Sequence, residues 1–245
     1  TGVEDPLQIA NFHIYFTLNA IYSYINRFKP TKTIVVWDEK IEYQQNIRKE
    51  ELSEYKGNRS KDNSPHEQNE VIKNMLKNLG IPSIFPRERE ADDRDFLQLV
   101  NINTILFDPI RKREFVLETF EQDTDYTKTE WLRAKCLLGD KSDNVPGIPR
   151  FGKAKVRKWL DGELTLTSEQ EEILNRNMTI FNLDEVMSHD SERTYYQTQL
   201  DVGIEVDWSS FVSECETRDF KNILNKKEQW YSLFILSNKL QYLLG

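Results

Sequence analysis

The sequence predicts an α/β protein: a central, mostly parallel sheet flanked by helices, with a helical rear part. Short β-branched or apolar runs at 33–37, 81–85 and 102–107 are separated by amphipathic helical patterns, the alternation that builds parallel sheets. Two capping boxes, Ser64-Pro65-His66-Glu67 and Thr127-Lys128-Thr129-Glu130, mark helix starts. Beyond the second box the strand signals stop and helical spacing takes over.

In chain order, Ile14, Leu18, Ile21, Ile25 and Phe28 share one face of a helix within 6–28, which Pro30 ends. Thr33–Trp37 reads as a buried strand with Asp38 at its C-terminal tip. Residues 39–63 are polar and almost free of apolar anchors. The next helix starts with Pro65 in its first turn, aligns Val71, Ile72, Met75, Leu76 and Leu79, and closes at Gly80. Ile81–Phe85 is a second strand, followed by the acids Glu90–Asp95, and Ile102–Phe107 is a third. The helix from Thr127 to Leu138 runs into Gly139-Asp140-Lys141-Ser142-Asp143-Asn144, then Pro146-Gly147-Ile148-Pro149-Arg150-Phe151-Gly152, then a basic helix over 153–160. Helical segments follow near 168–177 and 228–244. Cys136, Trp131, Trp159, Trp208 and Trp230 read as core residues, and His66 as a plain helix-start residue.

Composition bounds the function. At 245 residues the chain can bury roughly 70% of its unfolded surface, enough for a real core. Mean hydropathy is low (−0.67), yet 5 Trp, 10 Tyr and 13 Phe argue against disorder. No run approaches the ~20 apolar residues of a membrane span, and no signal peptide is seen. Two cysteines and three histidines are too few for a disulfide framework or a zinc cage, so a reducing, cytoplasmic setting is expected. The net charge of −8 argues against a uniformly basic nucleic-acid surface, but acids gathered at a metal site would leave other surfaces locally basic.

Three constellations carry chemistry. Glu90, Asp92, Asp93 and Asp95 repel one another unless solvated or bridged by cations, so they read equally well as an acidic loop or a cradle for a hard divalent cation. Asp38 lies at the strand edge where open α/β sheets place ligands, and Asp140 and Asp143 could share one side of a helical turn. Such a convergence would suit a two-metal site. The second constellation, Pro146 to Lys155, joins two helices through a glycine-bounded turn. Gly147 and Gly152 would let a phosphate approach backbone amides, and Lys153, Lys155, Arg157 and Lys158 supply phosphate contacts. A helix–turn–helix corner with a solvated basic face is the plainer alternative. The third is Arg48, Tyr55, Lys56 and Arg59, where a tyrosine could stack on a base beside phosphate-holding cations. Interleaved Glu50, Glu51 and Glu54 make a solvated charged loop the simpler reading of those residues alone.

In this order the motifs resemble the structure-specific 5′ nucleases, the flap endonuclease/5′→3′ exonuclease family of phages and bacterial DNA polymerase I. The matching pieces are Val36-Trp37-Asp38; Arg48 with Tyr55, Lys56 and Arg59; Glu90-Ala91-Asp92-Asp93; Asp93 to Leu99; and Gly139-Asp140 to Gly147, with Arg176-Asn177 a weaker match. The resemblance implies a PIN-like fold and Mg²⁺-dependent hydrolysis of DNA phosphodiesters near single-strand/duplex junctions. It implies two Mg²⁺ ions, with Mn²⁺ an accepted substitute, held by Asp38, Glu90, Asp92, Asp93, Asp95, Asp140 and Asp143. Lys56 and Arg59 would act on the scissile phosphate and Tyr55 would stack on a base. A helix–three-turn–helix would grip the duplex, with K⁺ held by backbone carbonyls.

The division implied is a nuclease core over 1–126 with an arch-like segment at 39–63, a helix–three-turn–helix over 127–162, and a helical part over 163–245. DNA with 5′ ends, flaps or junctions is the expected partner, replication proteins are candidate partners, and no membrane contact and a monomer are expected. The family pattern also has an earlier strand with a further metal-binding Asp, and a helix and strand between the Glu-Ala-Asp-Asp and Asp-Arg-Asp-Phe motifs. The expectation is that these segments belong to the natural protein and are missing from this sequence. The rival reading is a non-catalytic DNA-structure-binding module that keeps the helix–three-turn–helix.

Overall fold

The computed structural model of the chain describes residues 6–37, 51–55, 66–85, 94–186, 194–195, 197–198, 200 and 205–236. Its elements are α1 (Pro6–Phe28), β1 (Val35–Val36), α2 (His66–Asn78), β2 (Ser83–Ile84), a 3₁₀ turn (Asp95–Leu99), β3 (Leu106–Asp108), β4 (Arg113–Phe115) and α3 (Phe120–Thr124). There follow α4 (Lys128–Leu138), β5 (Gly139–Asp140), β6 (Val145–Pro146), α5 (Lys153–Leu160), α6 (Ser168–Phe181), α7 (Leu183–Val186), α8 (Trp208–Thr217), α9 (Lys221–Asn225) and α10 (Lys227–Trp230). They fall into two compact units, one of residues 1–39, 62–86 and 193–245, the other of 40–61 and 87–192. These units cut the chain elsewhere than the expected boundaries after 126 and 162.

In the first unit α1 packs on α2, and α8 packs on the far part of α2. Ile14, Leu18 and Ile25 meet Ile72, Met75, Leu76 and Leu79 in one core, as the helical spacing predicts. Phe28 does not join it and stays 40% exposed. The rear helices close this core with rings: Tyr22 stacks on Trp230 at 4.7 Å, and Trp230 on Phe234 at 5.2 Å. Lys29 leaves α1 in the left-handed region one residue before Pro30.

β1 and β2 form a parallel pair, Val35 opposite Ser83 and Val36 opposite Ile84. The pair is extended by Val35 N on Pro82 O and Trp37 N on Ile84 O, each 3.0 Å. The third expected strand does not join it. Leu106–Asp108 instead pairs antiparallel with Arg113–Phe115 in the second unit. Asp108 explains the reversal: its carboxylate accepts from Ile110 N (2.9 Å) and Arg111 N (3.0 Å), and Lys112 adopts φ +52°, so the chain turns back at once. Among the described residues the only parallel pairing is β1–β2, and the rest is helix-rich.

In the second unit α4 is the central element, packed against α6, α5, α3 and the 3₁₀ turn. Its capping box forms as read: Thr127 N donates to Glu130 Oε2 at 3.0 Å. No helix among the described residues is long and apolar enough to cross a membrane.

Burial, with like charge from Glu214 and Glu216, pushes the Cys215 thiol up to about 12 from its ordinary 9.0. The folded state thus keeps a proton that the unfolded chain releases near pH 9. Stability is full below that pH and falls as pH rises from about 9 towards about 12. Urea midpoints measured at pH 8 and pH 10 should show this loss, reduced in Cys215→Ala, and native Cys215 should resist iodoacetamide until urea unfolds the chain.

Candidate functional site

The site begins where α4 ends. Gly139 follows the helix at φ +73°, and a Cβ placed there would lie 2.2 Å from Gly147 N and 2.5 Å from Val145 O. A Cβ on Gly147 would lie 2.3 Å from the carbonyl of Leu138. The two glycines therefore let the backbones of β5 and β6 close directly against the helix end, which no side chain permits. The chain between them is a β-hairpin, Gly139 opposite Pro146 and Asp140 opposite Val145. Asp140 and Asp143 thus sit on a hairpin, not on the helical turn that their spacing suggested. Asn144 takes the left-handed conformation at the tip (φ +57°) and its Nδ2 donates to Glu54 O at 2.9 Å.

Two side-chain amides brace this region. Asn177, fully buried in α6, donates from Nδ2 to Cys136 O (2.7 Å) and Pro146 O (3.0 Å), serving a helix-end carbonyl and the hairpin at once. Arg176 Nη2 adds a bond to Pro146 O at 3.0 Å. Gln98 donates to Phe181 O (2.8 Å) and accepts from Leu183 N (3.2 Å), fixing the 3₁₀ turn that starts at Asp95.

Around this frame the charges converge. Lys135, in the last turn of α4, sets its Nζ 2.5 Å from Asp95 Oδ1 and 3.2 Å from Asp140 Oδ2. Asp95 is fully buried and Lys135 nearly so, with the ammonium 4.6 Å from the Phe181 ring centre. Burial alone would raise the Asp140 carboxyl, but hydrogen bonds from Ser142 and the charge of Lys135 outweigh it and hold the carboxyl below its ordinary value. Ser142 contributes both N (2.9 Å) and Oγ (2.5 Å) to Asp140 Oδ1. Asp143 is fully buried, with Tyr55 Oη 3.5 Å from its Oδ2.

Tyr55 corrects an expectation. It is 1% exposed and packs with Cys136, Val145, Ile180 and Phe181, so its ring is a core element and presents no face to a base. Asp38, Arg48, Lys56, Arg59, Glu90, Asp92 and Asp93 lie outside the described residues. Asp95, Asp140 and Asp143 are brought to one end of α4. Among the described residues no three acids are grouped closely enough to hold a metal ion by themselves. Gly152 caps α5, with nothing within 4 Å of where its Cβ would be. Lys153 pairs with Asp125 at 2.5 Å on the surface, and Lys155 lies 5.6 Å from the Phe151 ring centre. Lys135, Ser142 and Gln98 were missed as site residues. The available signal for Lys135 was a cation on a helix otherwise reading as buried, four residues after Trp131.

A family model described as 5′-3′ exonuclease, N-terminal resolvase-like domain, matches residues 8–94. A 5′-3′ exonuclease of Halalkalibacterium halodurans is 26% identical over 203 residues, covering 69% of this chain and 66% of that protein. One from Aquifex aeolicus is 30% identical over 162 residues, covering 57% of this chain and 55% of its own length. Over these stretches the chain is similar to 5′-3′ exonucleases. It spans less than two thirds of those exonucleases, and 23% of a DNA polymerase I from Lactococcus lactis with 28% identity. A variant of the phage T5 5′-exonuclease superposes with TM-score 0.62 at 18% identity, over 79% of this chain and 95% of that one. A T5 flap endonuclease in a pseudo-enzyme–product complex with DNA and metal ions gives 0.56 at 19% identity, over 80% and 91%. The chain therefore shares the α/β fold of the T5 5′-exonuclease.

The two-glycine contact makes Gly147→Ala incompatible with the hairpin, and its far-UV circular dichroism melt should shift well below that of the wild type. Asn177→Ala removes the amide donor shared by the carbonyls of Cys136 and Pro146, of which Pro146 keeps only Arg176 among side-chain donors, and should lower stability by about 1–3 kcal/mol in urea titrations.

Proposed function

We propose that the chain is a Mg²⁺-dependent, structure-specific 5′ nuclease that hydrolyses DNA phosphodiesters near single-strand/duplex junctions. The observation that carries this reading is that Asp95 and Asp140 share the Lys135 ammonium at the end of α4, with Asp143 on the same hairpin as Asp140 and the basic helix α5 following it. Buried carboxylates need compensating charge, and Lys135 provides a single one to two of them. Carboxylate oxygens are the hard donors that Mg²⁺ takes, so the donor set fits the ion. Asp95, Asp140 and Asp143 would hold it together with Asp38, Glu90, Asp92 and Asp93. Bound divalent cations supply Lewis acidity and lower the pKa of water, with a second ion offsetting charge on the leaving oxygen.

The chain's own groups do the rest. Ser142 keeps Asp140 ionised and oriented through two hydrogen bonds. Lys56 and Arg59 offset the charge that develops on the scissile phosphate. Gly152 leaves the start of α5 open to a phosphate, and Lys153 and Lys155 add sequence-independent contacts, the role of a helix–three-turn–helix. The Lys153–Asp125 pair is exposed and weak, so it does not withhold Lys153 from DNA. Backbone carbonyls of the Ile148–Gly152 turn would be the oxygen donors for a K⁺. In this reading the chain works on DNA alongside replication proteins.

A 5′-labelled flap substrate should release a short product with Mg²⁺ and none with EDTA, and Asp140→Asn should lose at least a hundredfold in rate while still melting cooperatively. Binding without cleavage under Mg²⁺ and Mn²⁺ would sink the nuclease reading and leave a DNA-structure-binding module. Lys155→Ala should weaken duplex binding and lower the slope of log K against log salt by about 1.

A further inference from the structure

Residues 51–55 belong to the polar stretch that leads to Lys56 and Arg59, yet they are held against the hairpin that carries Asp140 and Asp143, within the same unit. Asn144 Nδ2 donates to Glu54 O at 2.9 Å, across 90 residues of sequence. Tyr55 N donates to Leu52 O at 2.9 Å and closes a turn, and Leu52 and Tyr55 both pack on one apolar cluster. That cluster takes Cys136 from α4, Val145 from β6, and Ile180 and Phe181 from α6. The Lys135 ammonium lies 4.6 Å from the centre of the same Phe181 ring, so the turn rests on the elements that frame the charge cluster.

The position of this anchor is what matters. Asn144 stands in the left-handed region (φ +57°), which Gly and Asn enter more readily than other residues, and of those two only Asn brings a side-chain donor. Its acceptor belongs to the peptide unit that joins Glu54 to Tyr55, one residue before Lys56. Consecutive Cα atoms are about 3.8 Å apart, so a fixed Tyr55 sets the origin of Lys56. Asn144 also follows Asp143 directly, and one dipeptide therefore offers both a carboxylate and the anchor. The Tyr55 hydroxyl, 3.5 Å from Asp143 Oδ2, is at the limit of a hydrogen bond, so the buried ring and the Asn144 amide carry the attachment.

We propose that Asn144 is a positioning residue for Lys56: with the buried Tyr55 ring, its amide ties the 51–55 turn to the acid hairpin, so that the segment bearing Lys56 starts at a fixed place relative to Asp140 and Asp143. The proposal deepens the nuclease reading and rests on it for the role of Lys56 at the scissile phosphate. Charge stabilisation by a cation depends on its being in place before the reaction, and displacement by about an ångström can cost a hundredfold in rate.

The test uses Asn144→Gly, which keeps the left-handed backbone and deletes only the amide, so the variant should melt close to the wild type. Single-turnover cleavage of a flap substrate at saturating Mg²⁺ should slow at least tenfold, with the half-saturating Mg²⁺ concentration unchanged. In a Lys56→Ala background the same substitution should cost nothing further, because a residue acting through Lys56 has nothing left to position. Additive losses, or a raised Mg²⁺ requirement, would overturn the role towards Lys56. Limited trypsinolysis checks the anchor without activity. Cutting after Lys56 requires Glu54 and Tyr55 to leave their places and extend in the protease, so its initial rate follows opening of the turn. Asn144→Gly should accelerate that cut several-fold, with the cut after the exposed Lys112 as the unchanged reference. Equal rates in the two proteins would overturn the anchor. Absence of flap cleavage by the wild type would overturn the nuclease reading itself, whereas wild-type cleavage with additive losses removes only the positioning role.

Discussion

A lysine ammonium held between two carboxylates in a nearly dry setting governs the second unit. Lys135 reaches Asp95 and Asp140 from the last turn of α4, and each partner comes from a different segment. The 3₁₀ turn, the helix and the β5–β6 hairpin must therefore arrive together. Breaking such a cluster from one side leaves a buried charge uncompensated, at about 3–5 kcal/mol, although the intact cluster gains little over apolar packing. A cluster that is costly to break and poor as a stabiliser is better understood as a site than as a structural device.

The backbone makes that arrangement possible. Gly139 and Gly147 let the hairpin close on the helix end at distances no Cβ allows, and Asn177 occupies the carbonyls left over there. Gln98 does the same for the 3₁₀ turn against α6 and α7. These groups touch no substrate in the proposed reaction. They define where Asp95, Asp140 and Asp143 stand, and carboxylates misplaced by an ångström lose much of their use as a set of donors.

The first unit has a different logic, with helices α1, α2 and α8 around one aliphatic and aromatic core and a parallel pair that carries Trp37 to its edge. The Trp37 indole donates to Ser83 Oγ at 3.0 Å, and Lys73 lies 5.3 Å from its ring centre. The end of β1, immediately before Asp38, is thus fixed by side chains from β2 and α2.

Local chemistry was legible in the sequence. The capping box at Thr127, the stop at Gly80, the buried faces of α1 and α2 and the basic helix after Gly152 follow from short-range rules, because turns, caps and helical periodicity depend on neighbours within about four residues. The acids were legible as chemistry but not as geometry. Asp140 and Asp143, three apart, fit a helical turn by spacing, and the glycine contact with Gly147 made a hairpin instead. Leu106–Asp108 has strand character, but its partner was settled by the turn at Asp108. Tyr55 shows the limit most plainly. A tyrosine among charged residues can face water or core with equal local propriety, and only the packing of Cys136, Ile180 and Phe181 around it turned its ring inward. Lys135 was decided the same way. Whether a buried cation is tolerable depends on carboxylates brought from elsewhere in the chain, and that proximity exists only once the tertiary structure has formed.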